Sequence, residues 1–375
     1  MGQTKQWADM CRLLIASGVA LLLVMPPVRA GAPQARATPA TRQSLAALIA
    51  SLSEPGGSFD TDNLISNERS YLHVVPMLRS LAGQAGDNGV YLGVGPDQNF
   101  SYIAHLRPTL AILIDIRRDN LLLHLLFKAM FAEAATRAGY LALLTGRSEP
   151  AATREASIES LVRLVDQARP LGRTELGRLQ ARLAEVIDGF GVPLSNTDRA
   201  TIARFHRRFV DAGLSLQFNS TGRLPQYDYP TYRDLLLEVD RDAVRRGFLA
   251  NEDDFQFVKT LHARDRIVPI VGDLAGRGAL ANVGRYLDAT GLRVSAFYTS
   301  NVEFYLFRDG RAQAFIANLA SLPRQPGSVI VRSVFAGGGA RMSHGYNSAS
   351  LTQPIQALLD GYQQGRFRQY WELTR

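Results

Sequence analysis

The sequence predicts an α/β protein built on a mainly parallel sheet of about five strands, with helices on both faces of the sheet. Two observations carry this prediction. Short apolar segments that fit buried strands alternate with longer stretches of helical periodicity. Glycines or acidic residues follow the apolar segments, where the chain must turn. Strands that are joined through helices pair in parallel, because such crossovers are right-handed.

Composition limits the classes of protein to which the chain can belong. It has 375 residues, 46% hydrophobic and 20% charged, with one cysteine and a formal net charge of +8. These values exclude disordered, collagen-like and disulfide-stapled proteins. The basic excess comes from arginines scattered among acidic residues, whereas nucleic-acid binding requires clustered positive charge. We therefore expect a small-molecule ligand and no nucleic-acid partner.

The first thirty residues have the layout of a secretory signal peptide. Two basic residues precede an apolar run over 13–25, and Ala30 is a small residue suited to cleavage. As a helix the run would be roughly 20 Å long, short of the ~30 Å hydrocarbon core, so we expect no stable membrane span. Cleavage near Ala30 would remove the single cysteine, Cys11. The expected product is periplasmic or secreted, and a retained signal is the alternative.

The rest of the chain divides into four segments. Residues 31–43 are predicted to be a flexible spacer, and residues 44–145 the first half of the α/β domain. Residues 146–264 are predicted to be an inserted helical subdomain rich in arginine and glutamate. This subdomain could cover a site as a lid or supply substrate contacts, or it could be only a bulky cap. Strand and helix patterns then resume in the second half, residues 265–375.

The most informative pattern lies in the first half. A strand over 90–92 leads into Gly93 and Gly95, and a helical stretch and a second strand then end in Asp115, 20 residues after Gly95. This Rossmann-like order places glycine where the backbone turns sharply beside a ligand, and a carboxylate where ribose hydroxyls bind. The alternatives are an ordinary strand-to-helix turn, and an Asp115 that is a surface acid paired with Arg117 or Arg118.

These motifs resemble the class I SAM-dependent methyltransferase superfamily, over residues 87–138 and 265–335. Gly93 and Gly95 look like its glycine motif, and Asp115 like its ribose-binding acid. Asp273 and Leu274 are similar to the position beside the adenine, and Asn301 lies in a segment similar to the motif that lines the methyl-transfer pocket.

The resemblance implies a three-layer sandwich with the strand order 3-2-1-4-5 and S-adenosylmethionine as the cofactor. The sequence departs from the family at Tyr91, where an acid is common, and at Asp97, where a small residue is common. We find no antiparallel hairpin that would close the sheet.

Ligands of such sheets bind at the carboxyl ends of the strands, where the strand order reverses. We assign Glu303 as the candidate base and Tyr298 as the candidate proton donor. The expected cofactor-binding residues are Gly93, Gly95, Asp97, Gln98, Asn99, Asp115, Asp273, Leu274 and Asn301. Glu68 and Tyr71, ahead of the first strand, either reach the cofactor or only cap and pack a helix. The histidines have no metal-ligand spacing, so no metal is expected.

Two hypotheses for the function remain open. The first is a SAM-dependent methyltransferase with an unknown acceptor. The second is an exported binding or scaffold protein that keeps the fold without methyl transfer, which the export signal favours because SAM is a cytoplasmic metabolite. A nucleotide-dependent oxidoreductase is the weakest interpretation, because the third glycine of a dinucleotide fingerprint is missing.

Overall fold

A six-stranded sheet organises the chain in the computed structural model, which describes residues 43–82, 86–220, 229–335 and 342–374. The strands are β1 (Gly89–Gly93), β2 (Leu110–Asp115), β3 (Ile267–Val271), β4 (Arg293–Ser300), β5 (Arg324–Phe335) and β6 (Ser348–Pro354). Their order is β3-β2-β1-β4-β5-β6, with β1 to β5 parallel and β6 antiparallel to β5. The predicted α/β class and mainly parallel sheet are confirmed.

The sixth strand, β6, differs from the prediction of five strands. Its sequence, Ser-Ala-Ser-Leu-Thr-Gln-Pro, contains no apolar run. The Ser348 and Ser350 hydroxyl oxygens are buried and lie 3.1 and 3.2 Å from the Ser70 hydroxyl oxygen. Because paired hydroxyl groups fill its buried positions, this strand lacks the hydrophobic periodicity by which strands are recognised in a sequence.

Fourteen α-helices are present in the described part of the chain. They are α1 (Leu45–Leu52), α2 (Val75–Ala82), α3 (Gln98–Leu106), α4 (Arg118–Glu133), α5 (Arg137–Thr145), α6 (Ile158–Gln167), α7 (Arg173–Gly189), α8 (Asn196–Ala212), α9 (Tyr232–Leu236), α10 (Glu252–Ala263), α11 (Ala279–Thr290), α12 (Val302–Arg308), α13 (Ala312–Ser321) and α14 (Ile355–Gln363). Short 3-10 turns cover Arg69–Val74, Gly86–Asn88, Gly213–Ser215 and Tyr370–Glu372.

Helices pack against β1, β2 and β3, and every residue of these three strands is buried. Because neither face of such strands is exposed to water, their sequences are continuous apolar runs. Helix α4 is buried from Asn120 to Phe131 for a similar reason. It packs against β2 and β3, and it also packs against α7 and α8.

The predicted insertion contains α6 to α9 and ends with α10. Helix α7 buries Leu179, Leu183 and Ile187, which recur every four residues on one face. Helix α10 packs against α3 and α4, and so joins the end of the insertion to the first half of the α/β domain.

Residues 1–42 lie outside the described residues, and with them the predicted signal peptide and most of the predicted spacer. Within residues 43–82, 86–220, 229–335 and 342–374, no helix has the length and apolar character needed to cross a membrane.

Gly272, directly after β3, provides a test of the packing between sheet and helix. A Cβ at this position would lie 2.2 Å from the Ala279 Cβ at the start of α11, and 3.0 Å from the Ile114 side chain. Since backbone must move to relieve the first contact, we expect Gly272→Ala to lower the free energy of unfolding by about 1–3 kcal/mol in urea titrations.

Gly177→Ala is the matched control, because Gly177 lies within α7 and a Cβ there meets no heavy atom within 4 Å. This substitution should raise the free energy of unfolding by about 0.5–1 kcal/mol through helix propensity. Equal effects of the two substitutions would contradict the packing argument.

Candidate small-molecule site at the carboxyl ends of the strands

A cavity of about 900 Å³ opens at the carboxyl ends of β1 to β4. Its wall includes Gly95 after β1, Asp115 at the end of β2, Gly272 after β3 and Ser300 at the end of β4. The chain continues from β1 to β2 and β3 on one side and places β4 and β5 on the other. The cavity therefore lies at the switch point where ligands of open α/β sheets bind.

The predicted site residues fall into two groups. Those that line the cavity are Gly95, Gln98, Asp115, Asp273, Leu274 and Asn301. Those outside its wall are Gly93, Asp97, Asn99, Tyr298 and Glu303. That the residues of the first group contact a ligand remains a prediction. The second group supports the wall from behind, and its contacts show how.

Asn99 holds the turn that follows β1. Its amide nitrogen donates hydrogen bonds to the carbonyl oxygens of Val94 (2.8 Å) and Pro96 (2.7 Å). Its oxygen accepts a 2.7 Å hydrogen bond from the Tyr91 hydroxyl. A Cβ on Gly93 would lie 2.1 Å from the Asn99 Oδ1 atom. Gly93 is therefore needed to make room for the Asn99 side chain.

Gly95 carries the unusual backbone of the turn, with φ of +82°, in the region that favours glycine. The carbonyl oxygen of Gly95 lies 2.9 Å from Nε2 of His124 in α4, so that nitrogen carries the proton and donates. Burial lowers the pKa of His124 to about 4, with the Gly95 hydrogen bond partly opposing the shift. A neutral histidine thus holds the turn at Gly95.

Asp97 is directed away from the cavity, towards the helical insertion. Its carboxylate accepts a 2.7 Å hydrogen bond from the hydroxyl of Tyr232 in α9. Both side chains are buried, and burial raises the pKa of Asp97 to about 6 although the Tyr232 hydrogen bond opposes the shift. Asp97 thus joins the glycine turn to the insertion.

Asp115 is paired with Arg117. The guanidinium donates from Nε to Oδ1 (3.0 Å) and from Nη2 to Oδ2 (2.8 Å), and the Arg117 amide donates to Oδ1 (2.9 Å). The side chains of both residues are more than nine-tenths buried, so this pair belongs to the cavity wall and is not an exposed surface pair. A carboxylate offers about four acceptor positions, which leaves one on Oδ2 for a ligand hydroxyl.

Asp273 has a similar arrangement beyond β3. It accepts a hydrogen bond from the amide of Ala275 (2.9 Å), and its other oxygen lies 2.7 Å from the guanidinium of Arg311. The side chain of Asn318 donates to the Leu274 carbonyl oxygen (2.9 Å). The two predicted residues therefore lie in a loop that is held by α13.

The predicted base, Glu303, forms a buried ion pair behind the cavity. Arg332 of β5 donates to it from Nε (2.7 Å) and Nη2 (3.1 Å), and the Thr299 hydroxyl donates at 3.2 Å. The pair is about 1% exposed on each side. Such a geometry stabilises the junction of α12 with the sheet, because a buried charge requires a partner.

The carboxylate that does line the cavity near β4 is Glu68. It is fully buried and accepts hydrogen bonds from three hydroxyl groups, those of Tyr298 (2.5 Å), Ser300 and Ser333 (2.5 Å). Burial raises its pKa, and the hydroxyl donors only partly oppose this. Tyr71, the other candidate ahead of β1, is buried outside this cavity, where its hydroxyl donates to the Leu235 carbonyl oxygen (2.9 Å).

The segment ahead of β1 explains how Glu68 reaches the site. The amide of Glu54 donates to the last residue of β3 (3.0 Å), and the amide of Gly57 donates to the Ile116 carbonyl oxygen just after β2 (2.8 Å). Glu68 then accepts from the last residue of β4. The segment thus crosses the carboxyl ends of three strands and forms one wall of the cavity.

Sequence reasoning missed the other residues of the wall. Arg117 was considered only as a partner of Asp115, and Arg311 was not considered. The aromatic candidates, Tyr71 and Tyr298, lie outside the wall. Phe59 and Tyr305 make an edge-to-face contact with centroids 4.9 Å apart, beside Phe304. A possible signal was the aromatic pair at 304–305, directly after the predicted methyl-transfer motif. In the described ranges, no group of three or more His, Cys, Asp and Glu residues is arranged to hold a metal ion.

The sequence matches the model of a family described as a domain of unknown function, DUF7790, over residues 64–176 and 225–366. The unmatched residues between these ranges, 177–224, include most of α7 and all of α8. The acids and glycines of the cavity wall all lie within the matched ranges. No curated protein matches the chain.

The buried His124 makes stability depend on pH in the acid range. Its pKa is about 4 in the folded protein, against 6.5 ordinarily, so the folded state binds the proton less readily than the unfolded chain. Its contribution to stability is present above pH 6.5 and is lost as the pH falls towards 4, by about 3 kcal/mol.

We expect His124→Gln, whose amide can still donate to Gly95, to flatten the fall in unfolding free energy over this range in urea titrations. The exposed His344→Gln is the control for loss of one histidine. A curve for His124→Gln with the slope of the native protein would disprove this role.

The buried Asp97 makes stability depend on pH with the opposite sign. Its folded pKa of about 6 exceeds the ordinary 3.8, so stability falls as the pH rises between these values. At neutral pH the ionised group costs about 3 kcal/mol. We expect Asp97→Asn, which keeps an acceptor for Tyr232, to raise the free energy of unfolding by up to that amount at pH 8 and much less at pH 4.

Asp211→Asn on the exposed face of α8 is the control, and it should have little effect at either pH. Equal effects of Asp97→Asn at both pH values would show that burial does not determine the behaviour of Asp97.

Proposed function

The chain belongs to the DUF7790 family, and we propose that it binds S-adenosylmethionine in the cavity at the carboxyl ends of β1 to β4 and transfers its methyl group to a small acceptor. The observation that carries this proposal is the position of the cavity. It lies at the switch point of a sheet with the order β3-β2-β1-β4-β5-β6, and it is lined by a glycine turn, by Asp115 at the end of β2 and by Asp273 after β3.

The size and charge of the cavity support the proposal. A volume of about 900 Å³ lies near the upper end of the range for ligand sites, roughly 300–1,000 Å³, and leaves room for a cofactor together with an acceptor. Among the described residues, four carboxylates and two guanidinium groups line it. A wall with excess negative charge favours a cationic ligand such as a sulfonium.

The sheet also supports the resemblance to class I methyltransferases. That family closes its sheet with antiparallel strands, and the edge strand β6 runs antiparallel to β5. Methyl transfer depends mainly on alignment of the nucleophile with the methyl group, so a preformed cavity provides much of what the reaction requires. On this proposal Asp115 accepts from the ribose with its remaining lone pair, and Gly95 allows the ligand to approach the backbone.

The alternative is an exported binding protein that keeps the fold without methyl transfer. It is favoured by the engagement of Asp115 with Arg117 and by the direction of Asp97 towards Tyr232, away from the cavity. The export expected from residues 1–30 favours it further.

Titration calorimetry of the purified protein with SAM and S-adenosylhomocysteine distinguishes the two proposals. Heat of binding with both ligands, and a raised melting temperature, would support the methyltransferase. No heat and no thermal shift at millimolar concentrations of either ligand would exclude it, and would leave the binding protein as the proposal.

Asn301 provides the residue-level test. It follows β4 and lines the cavity, and among the described residues its side chain accepts only a long hydrogen bond of 3.5 Å, from Ser300, so its substitution should leave the fold intact. We expect Asn301→Ala to weaken SAM binding about fivefold, the effect of one hydrogen bond of about 1 kcal/mol.

Asn282→Ala on α11 is the matched control, because Asn282 lies outside the cavity wall and contacts Arg285 on the exposed side of the helix. Affinity that is unchanged in Asn301→Ala, or equally reduced in both variants, would remove Asn301 from the site.

A further inference from the structure

One carboxylate of the cavity differs from the other three. Asp115 is paired with Arg117 at 2.8 Å, Asp273 with Arg311 at 2.7 Å, and Asp309 with Arg308 at 2.7 Å. Glu68, the most deeply buried of the four, forms no ion pair with any described residue. Two neighbouring arginines are already engaged: Arg69, next to Glu68 in the chain, is paired with Glu238, and Arg332, next to its hydrogen-bond donor Ser333, is paired with Glu303.

The partners of Glu68 are neutral. Tyr298, Ser300 and Ser333 donate hydrogen bonds to it, so its oxygens are solvated by hydroxyl groups while its charge is not neutralised. Burial raises its pKa, as expected for a carboxylate without a cation. A buried carboxylate is stabilised strongly by a cation that reaches it through the cavity.

Gln98 supplies a second unfilled acceptor at the same place. Its side-chain nitrogen donates to the Tyr298 hydroxyl (2.9 Å), which in turn donates to Glu68. Its Oε1 atom is buried and has no hydrogen-bond partner among the described residues, and Gln98 lines both this cavity and a small second cavity beside Asp97 and Tyr232. Buried acceptors without donors are rare in folded proteins. The Gln98 oxygen and the Glu68 carboxylate can therefore both accept a hydrogen bond from a ligand, and the Glu68 carboxylate favours a donor that is positively charged.

This wall is separate from the one that suits a nucleoside. Glu68 lies over β4 and β5, where Ser300 and Ser333 hold it, whereas Asp115 and Asp273 follow β2 and β3 on the other side of β1. Aromatic rings lie on the cavity wall after β4, and Phe304 is 42% exposed. They offer an apolar surface in the same cavity as the carboxylate.

We propose that Glu68 and the Gln98 Oε1 atom form a subsite for the ammonium group of an amine, with the aromatic residues Phe59, Phe304 and Tyr305 beside its carbon skeleton. An ammonium group donates in several directions and carries the charge that Glu68 lacks. If the proposed methyl transfer holds, the acceptor is a primary or secondary amine. Its ammonium form would pass one proton to Glu68, and the freed nitrogen lone pair would then form the new bond to the methyl carbon as the bond from that carbon to the sulfonium sulfur breaks, with S-adenosylhomocysteine as the leaving group. This last step rests on the proposed function.

Benzylamine and benzyl alcohol are matched probes for the subsite, because they share the ring and differ in the charged nitrogen. Ligand-observed NMR titrations of the full-length protein at pH 8 would measure its affinity for each of the two probes. We expect benzylamine to bind at least tenfold more tightly than benzyl alcohol. No detectable binding of benzylamine at millimolar concentrations, or equal affinities for the two probes, would overturn the proposal.

Glu68→Gln keeps the size of the side chain and removes the charge. We expect this substitution to weaken the binding of benzylamine at least tenfold and to leave the binding of benzyl alcohol unchanged. Asp309→Asn is the control, since it removes another cavity carboxylate that already has an arginine partner. Discrimination that persists in Glu68→Gln, or is lost equally in Asp309→Asn, would overturn the assignment to Glu68.

Gln98→Met provides a second test should Glu68→Gln not fold, as judged by its circular dichroism. It removes the unpartnered oxygen, and we expect weaker benzylamine binding, by about fivefold, with benzyl alcohol unchanged. An unchanged affinity for benzylamine would overturn the role of Gln98. Binding of benzylamine without binding of SAM would reject the proposed function and retain the subsite, and the reverse pattern would reject only the subsite.

Discussion

The hydrogen bonds of the Asn99 side chain hold the turn on which the rest of the site depends. They fix the carbonyl oxygens of Val94 and Pro96 directly after the central strand β1, while the Tyr91 hydroxyl fixes Asn99 itself. Because β1 lies between β2 and β4, the direction in which its turn leaves the sheet determines where the cavity opens. The same turn is held by His124 of α4 and, through Asp97, by the insertion. One buried amide thus ties together the sheet, a covering helix and the inserted subdomain.

Charge compensation organises the remainder of the cavity. The guanidinium of Arg117 binds Asp115 and also donates to the Thr61 carbonyl oxygen (2.9 Å), so it fastens the segment ahead of β1 to the end of β2. Glu54 of that segment accepts from the amides of Asp273 (2.8 Å) and Gly278 (2.7 Å), which fastens it beyond β3. Paired charges therefore build the wall, and this makes an unpaired one informative. In a wall where the other carboxylates have arginine partners, a carboxylate surrounded by hydroxyl groups is suited to a cation that the protein itself does not supply.

Part of the site could be predicted from the sequence because its signals are local. A glycine turn after an apolar strand, and acids directly after the strands that became β2 and β3, can be recognised from neighbouring residues alone, and Gly95, Asp115 and Asp273 line the cavity. Glu303 occupies a similar local position after β4, but its environment is set by Arg332, 29 residues further along the chain. Nothing near Glu303 in the sequence distinguishes a buried ion pair from a reactive acid. Glu68, by contrast, has no local signal in the sequence, because the residues that donate hydrogen bonds to it lie more than 200 positions away in the chain.

The sequence by itself determined the α/β class, the five parallel strands and the position of the cavity, because apolar runs and the turn residues after them are properties of adjacent positions. Only the tertiary structure decided which acids are neutralised and which one is not. It also decided that the polar segment 348–354 is a strand, since its serines are paired only when the 3-10 turn at 69–74 packs against them. Ion pairs and buried hydroxyl networks join residues that are distant in the chain, and their energy depends on burial and on distances that exist only after folding.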